Sequence, residues 1–295
     1  MDRFEFESFD GKKISCAEWK TEDPKGVLQI SHGMAEHILR YGLLAEFMTK
    51  NGYIVVGDDH RAHGETDKDT PGYADGDIFS DTVRDMAALS KIYKEKYPEL
   101  PIILFGHSYG SFLTQSYIEK NPQFISGAII GGSAYMKDVT APFGRFLSLF
   151  GNSKKPAKLL NTMSIGAYNK KFTDGSFISS IPAECERYND DKKCGFTCSK
   201  NFYHYFFKGL MSLYKQSNYK NIDTEKPVLL LAGALDPVGN NLKSMNKLYD
   251  FYKNTVGIKT VEKIYYENVR HEYLNDTSRE KAFNDILDFC DGICK

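Results

Sequence analysis

Ser108 is the residue around which chemistry can be arranged. It is the centre of Gly106-His107-Ser108-Tyr109-Gly110, a G-x-S-x-G pattern. A serine hydroxyl is a weak nucleophile near neutral pH. It needs a base to take its proton and an acid to orient that base. The flanking glycines leave room for a strained turn that projects the hydroxyl. Only two histidines follow Ser108 in the chain, His204 and His271. His204 lies inside the aromatic run NFYHYFF, where packing accounts for it. His271 lies in NVRHEYL, just past a strand pattern, where a loop returns over a sheet edge, and it is the candidate base. For the acid, Asp236 in GALDPVG and Asp138 both follow strand patterns. Gly233 and Pro237 make a tight turn around Asp236, which suits an orienting carboxylate; Asp138 is the rival.

The elements that must position these groups are legible on either side. Ile102, Ile103, Leu104 and Phe105 form a continuous apolar run, which fits a strand buried on both faces of a parallel sheet. Behind Gly110 a helical pattern places Phe112, Leu113, Ser116 and Tyr117 on one face, and Asn121-Pro122 stops it. The helix start aims backbone N–H groups and a partial positive charge at the turn. A second strand, Val27 to Ser31, ends in His32-Gly33-Met34-Ala35-Glu36-His37. That turn offers the Met34 N–H, and the helix start offers the Tyr109 N–H. Together they form a candidate oxyanion hole. His32 and His37 lie in a turn without helical spacing and read as structural.

Along the chain, Phe4 and Phe6 alternate with polar residues, Asp10-Gly11 marks a hairpin turn, and Ile14 to Trp19 returns. A helix is expected over Arg40–Lys50, a strand over Tyr53–Val56, and a long helix begins behind Asp77. The polar turn Gly57-Asp58-Asp59-His60-Arg61-Ala62-His63-Gly64 has the residue types of a metal site or a catalytic base, but it reads better as a charged network holding its loop. Further strands are expected at Ile125–Ile130, Pro227–Ala232 and Thr260–Tyr266, with helices at Asn241–Tyr252 and Thr277–Cys290. From 134 to 219 the strand–helix rhythm breaks, which points to an inserted helical lid on a core of 1–133 and 220–295. The fold class is α/β: a mostly parallel eight-stranded sheet with helices on both faces.

Composition narrows the rest. The chain has 295 residues, 41% of them hydrophobic, and a net charge of −1. A sizeable core is affordable, and no strong field calls for nucleic acid. The N-terminal stretch has scattered charges and no apolar segment, so a soluble cytoplasmic protein is expected. Six cysteines without a secretion signal read as free thiols. Cys194 and Cys198, with His204 nearby, have metal-like spacing but no evident fourth ligand. No metal or organic cofactor is implied, and the oligomeric state is open.

HGMAEH, DDHRAHGET, GHSYGS, GALDPVG and RHEYLND occur in this order over nearly the whole chain. Together they resemble the monoacylglycerol lipase and lysophospholipase branch of the α/β-hydrolases, often labelled serine aminopeptidase S33. SIGAYNKKF and CGFTCSKNFYHYFFKGL within the insertion resemble bacterial members. The resemblance implies a Ser108–Asp236–His271 triad with Met34 and Tyr109 as oxyanion donors. It implies a serine hydrolase that cleaves carboxylic esters through an acyl-enzyme. The substrate would be a small acyl ester, such as a monoacylglycerol or lysophospholipid, with at most transient membrane-surface contact through the lid. A serine aminopeptidase, a non-catalytic binding protein of the same fold and an acyltransferase are the alternatives. Three departures stand out. Ala62 replaces the glycine of a DHRGHG pattern, Ser111 stands where glycine is common, and FISSIP replaces a Trp-Leu-Ser-Arg-Asp run. The last changes the expected wall of the acyl pocket. Phe143 and Phe146, in an apolar stretch of the insertion, are the candidate substrate contacts.

Overall fold

Strands buried on both faces build the sheet. A computed structural model describes residues 1–136, 140–150 and 153–294, without the side chains of Thr140, Ala141 and Phe143. The strands are β1 (Asp2–Glu7), β2 (Lys13–Trp19), β3 (Gly26–Ser31), β4 (Tyr53–Asp58), β5 (Ile102–His107), β6 (Gly127–Gly131), β7 (Val228–Gly233) and β8 (Val261–Tyr266). They form one eight-stranded sheet in the order β1-β2-β4-β3-β5-β6-β7-β8. β1 and β2 are an antiparallel hairpin, and β2 also runs antiparallel to β4. All pairings from β4 to β8 are parallel.

Every residue of β3, β4, β5, β6 and β7 is buried. Alternation along each strand divides them between two cores. Val27, Ile54, Leu104, Ile130 and Leu230 face α2 (Ile78–Lys96) and α3 (Tyr109–Lys120). Leu28, Val55, Ile103, Phe105, Ile129 and Leu229 face α1 (Gly42–Lys50) and the closing helix Arg279–Ile293. Helices thus cover both faces. Asp77 caps α2 by accepting the Ser80 N–H at 3.2 Å.

Between β6 and β7 the chain leaves the sheet and returns through several helices, including Thr140–Ser148, Pro182–Asp190 and Lys200–Ser212. The last packs on α2 and on Thr140–Ser148. Among the described residues, no helix is long and apolar enough to cross a membrane.

Some boundaries differ from expectation for local reasons. The helix expected from Asn241 begins at Lys243, because Asn240, Asn241 and Leu242 all take left-handed φ, at 50°, 50° and 70°. The helix expected from Arg40 is preceded by a 3₁₀ turn over Ile38–Tyr41 and starts at Gly42. The closing helix continues past Cys290 to Ile293. Ala62, in place of the pattern's glycine, takes φ 69°. A Cβ there carries backbone strain of about 1–2 kcal/mol, which a glycine would not.

One buried group works against the fold. Glu119 in α3 is 3% exposed, and its Oε2 has no partner among the described residues. Burial pushes its carboxyl up to about 8, against a weaker pull from Lys120. The native state therefore keeps a proton that the unfolded chain loses near 4.5, and stability falls as pH rises from about 4.5 to about 8. Glu119→Gln should recover that loss. Its gain in unfolding free energy should be small near pH 4.5 and reach a few kcal/mol, as an order of magnitude, near pH 8. Denaturant midpoints across this range measure it. A gain that did not change with pH would show that the carboxyl is not held neutral.

Candidate active site

The turn between β5 and α3 admits one geometry. Ser108 takes φ 54° and ψ −120°, a strained conformation for a residue with a side chain. Its neighbours must be glycine. A Cβ on Gly106 would lie 2.2 Å from Thr114 Oγ1, and one on Gly110 would lie 2.0 Å from the Ser31 carbonyl oxygen. The Ser108 N–H donates to Gly131 O at the end of β6, at 3.0 Å. Ser111, the second departure from the pattern, donates from its hydroxyl to the Ser108 carbonyl at 2.6 Å. Ser108 is partly exposed between buried neighbours, and its hydroxyl has no partner among the described residues.

Asp236 and His271 arrive on the turns after β7 and β8. His271 Nδ1–H donates to Asp236 Oδ2 at 2.9 Å, which leaves the Nε2 lone pair free. The Val238 N–H holds the other Asp236 oxygen at 2.9 Å. Both side chains are buried. Burial alone would push the imidazole down. The charge and hydrogen bond of Asp236 outweigh it, with Glu272 and Glu36 adding to the effect, and the net shift is upward. Ser108 and His271 both lie beside the end of β6: the Ser108 N–H bonds Gly131, and a Cβ on the adjacent Gly132 would lie 3.1 Å from His271 Cε1. The rival Asp138 lies outside the described residues.

The loop after β3 faces this turn. A Cβ on Gly33 would be 3.3 Å from Ser108 Cβ. Tyr109 is the first residue of α3, so its N–H has no intrahelical acceptor. Neither it nor the Met34 N–H is taken up among the described residues. Their neighbours are. The Gly33 N–H goes to Glu36, and the Ala35 N–H goes to His63 Nε2 at 3.0 Å. His63 Nδ1–H donates to Arg61 O at 2.9 Å, so the ring must be neutral. Burial pushes it down to about 3, which keeps it so. His32 is held in the same way, accepting from the His60 N–H at 3.0 Å. Arg61, 2% exposed, forks onto Asp85 and Asp10, and Asp59 takes the Ile38 and Glu65 N–H groups. The polar turn is thus a buried frame for the loop.

Sequence patterns did not reveal what holds the His271 loop. The FISSIP segment does so. The His271 N–H donates to Phe177 O at 3.1 Å, and the Glu272 N–H to Ile178 O at 2.8 Å. Ser179 and Ser180 bond Asn275 and Asp276. The Phe177 ring stands 5.1 Å from the imidazole, centre to centre. The departure from the expected run was the one signal that this segment mattered. Arg40 joins the two loops, bonding Glu272 through both oxygens at 2.7 and 2.8 Å and also Glu36. His107 and the His271 ring lie side by side at 4.8 Å. Phe202 and Phe206 wall the helix start, packing on Tyr109 at 4.9 and 5.5 Å. Phe146 is 55% exposed and packs on Phe150, and the Phe143 side chain lies outside the described residues. Cys198 and His204 do not join Cys194: Cys198 is in the core, and His204 pairs with Ser148.

Residues 22–278 match the family model for serine aminopeptidase, S33. The chain belongs to that family. Rat monoglyceride lipase is 29% identical over 187 residues, which cover 62% of this chain and 57% of the relative. Monoacylglycerol lipase of Mycolicibacterium smegmatis is 32% identical over 130 residues, covering 44% and 45%. The chain spans about half the length of these curated relatives. The crystal structure of a thermostable carboxyl esterase from Bacillus coagulans, in complex with glycerol, superposes with a TM-score of 0.88. That match is 25% identical and covers 100% of this chain and 99% of the other.

The imidazole's upward shift is directly measurable. The His271 ring should titrate above the ordinary value of 6.5 by NMR. In Asp236→Asn the carboxylate is gone while burial remains, so the midpoint should fall. An unchanged midpoint would mean that Asp236 does not set the charge of this ring.

Proposed function

We propose that the protein is a serine hydrolase that cleaves carboxylic esters through an acyl-enzyme, with monoacylglycerol- or lysophospholipid-type esters as its substrate class. The observation that carries this reading is the Asp236–His271 pair, at 2.9 Å, on the same sheet edge as Ser108, whose backbone is strained and whose hydroxyl has no partner among the described residues. Ser108 Oγ attacks the acyl carbonyl as His271 Nε2 takes its proton. The Met34 and Tyr109 N–H groups receive the oxyanion; losing one such donor typically costs about 3–4 kcal/mol of transition-state stabilisation. His271 then protonates the departing alcohol, and water releases the acid by the reverse roles.

Several features support an ester over a peptide. An aminopeptidase needs a free acid for the substrate's amine. Glu184 is taken by Arg279 and Arg187, and Glu186 is exposed on the helix Pro182–Asp190. The groups beside the site are aromatic: Phe177 at His271, with Phe202 and Phe206 at Tyr109. The names of the rat and mycobacterial relatives agree with an acylglycerol. In this reading 134–219 is the lid of a core made by 1–133 and 220–295, Phe143 and Phe146 meet the longer chains, and the protein works in the cytoplasm.

A fluorophosphonate should label Ser108 alone, and Ser108→Ala should fold and lose esterase activity by several orders of magnitude. With aryl esters, kcat/KM should rise from acetyl to butyryl by roughly fourfold per buried methylene. Phe146→Glu should lower it more for the longer esters. A flat chain-length profile with strong amino-acid amidase activity would overturn the lipid-ester reading.

A further inference from the structure

His37, read from sequence as structural, has acquired two neighbours from far along the chain. Its Nε2 lies 2.8 Å from Asp191 Oδ2, and one donor atom each from His37, Asp191 and Cys194 all lie within 4.8 Å of one another. Asp191 and Cys194 are the ends of one turn, closed by the Cys194 N–H to Asp191 O at 2.9 Å, with Gly195 behind it at φ 70°. Both side chains therefore leave the turn on the His37 side. Two other bonds press the turn onto the same loop: the Gly195 N–H and the Tyr188 hydroxyl both donate to Ala35 O, at 2.9 and 3.0 Å. Cys194 is only 9% exposed, and its thiol has no hydrogen-bond partner among the described residues. A buried, unpartnered thiol aimed at a histidine and a carboxylate is a donor set without an acceptor.

We propose that His37, Asp191 and Cys194 bind one zinc-class divalent cation, which fastens the helical insertion to the loop Gly33–His37. The donors are nitrogen, oxygen and sulfur. Calcium and magnesium take oxygen alone, whereas zinc takes all three. Tetrahedral zinc, with bonds of about 2.0–2.3 Å, holds its ligand atoms roughly 3.3–3.7 Å apart. The separations here, from 2.8 Å up to 4.8 Å, bracket that value, so side-chain rotation brings all three onto one ion. Binding breaks the His37–Asp191 hydrogen bond. The Cys194 thiol proton passes to solvent, and the neutral imidazole coordinates through Nε2 with its proton on Nδ1. One thiolate and one carboxylate then balance the charge of the cation, so burial carries no net-charge penalty. Three protein ligands leave a fourth position for water. The site is separate from Ser108, Asp236 and His271 and does not rest on the ester-hydrolase reading.

The test uses the full chain, reduced and freed of metal by chelator, titrated with Co²⁺ alone. One equivalent should bind with a thiolate-to-cobalt charge-transfer band and the visible bands of a four-coordinate ion, and Zn²⁺ should displace it. Cys194→Ser should remove the charge-transfer band, and Cys198→Ser should keep it. Asp191→Asn and His37→Gln should weaken binding by more than the roughly 10–100-fold that loss of an outer-shell partner brings. Zn²⁺ should raise the melting temperature of the wild type and not of Cys194→Ser. Should a variant fail to fold, the wild type decides: one equivalent of Zn²⁺ should slow alkylation of Cys194, mapped by mass spectrometry, and leave Cys185 unaffected. The proposal is overturned by an absent band, by a band that survives Cys194→Ser, or by alkylation of Cys194 that Zn²⁺ does not slow.

Discussion

The contact that the rest depends on is the seating of Gly110 against the carbonyl of Ser31, where a Cβ would come within 2.0 Å. It presses the first turn of α3 onto the end of β3. β3 and β5 are already parallel neighbours, with Ser31 opposite Gly106. The chain leaving β5 therefore has one short path into α3, and that path forces φ 54° on Ser108. The same contact sets the loop that leaves β3 against the N-terminus of α3. The loop that carries Met34 and the helix that starts at Tyr109 cannot move apart without separating Gly110 from Ser31. The strain at Ser108, of order 1–3 kcal/mol, persists because the strands and α3 fix both of its ends.

The chain contains a second Ser–His–Asp constellation. His60 Nδ1–H donates to Asp58 at 2.7 Å, and its Nε2 meets the Ser31 hydroxyl at 2.9 Å. Its His–Asp bond resembles that of His271 and Asp236, and its serine is bonded to the imidazole as well. The difference is environment. Ser31, His60 and Asp58 are at most 1% exposed, so no substrate reaches them, and Ser31 is ordinary strand backbone. His32 stacks on His60 at 4.0 Å and sits beside His63, and burial holds His32 and His63 neutral as acceptors for backbone N–H groups. These imidazoles serve as fixed hydrogen-bond struts. His271 differs because Asp236 pushes it toward the charged form against burial. Pairing, exposure and the direction of the shift have to be read together.

Much of this was legible because it is local. Apolar runs mark the buried strands, and the glycines around Ser108 mark the elbow. Asp236 follows its strand as directly as the pattern suggests, and His271 follows β8 by a short loop. The parts that escaped depend on residues far apart in sequence. Nothing near Phe177 announces that its carbonyl will hold the His271 N–H, some ninety residues on. The spacing of Cys194 and Cys198 suggested partners, but it is a tight turn that carries Cys194 toward His37 and leaves Cys198 in the core. Ala62 shows in sequence only as a missing glycine, whereas its φ of 69° makes it a matter of backbone strain. One-dimensional patterns report periodicity and turns; they do not report which turn will be pressed against which loop.

The helical insertion grips the site at two points. FISSIP bonds the His271 loop, and the turn from Asp191 to Gly195 bonds the loop that carries Met34. Arg40 ties these loops to each other through Glu272 and Glu36, and the Tyr188 ring of the insertion lies over the Arg40 guanidinium at 4.8 Å. Burial works against the Glu272 carboxylate, and the Arg40 charge and bonds overcome it and hold it ionised. A shift of the insertion away from the sheet would therefore strip partners from the imidazole loop and from the Gly33–His37 loop together. It would also bring water to a buried ion pair whose attraction is strong only while water is excluded. The His271 loop and the Gly33–His37 loop are thus coupled through one element, the chain between β6 and β7, so the order of both follows the position of that element.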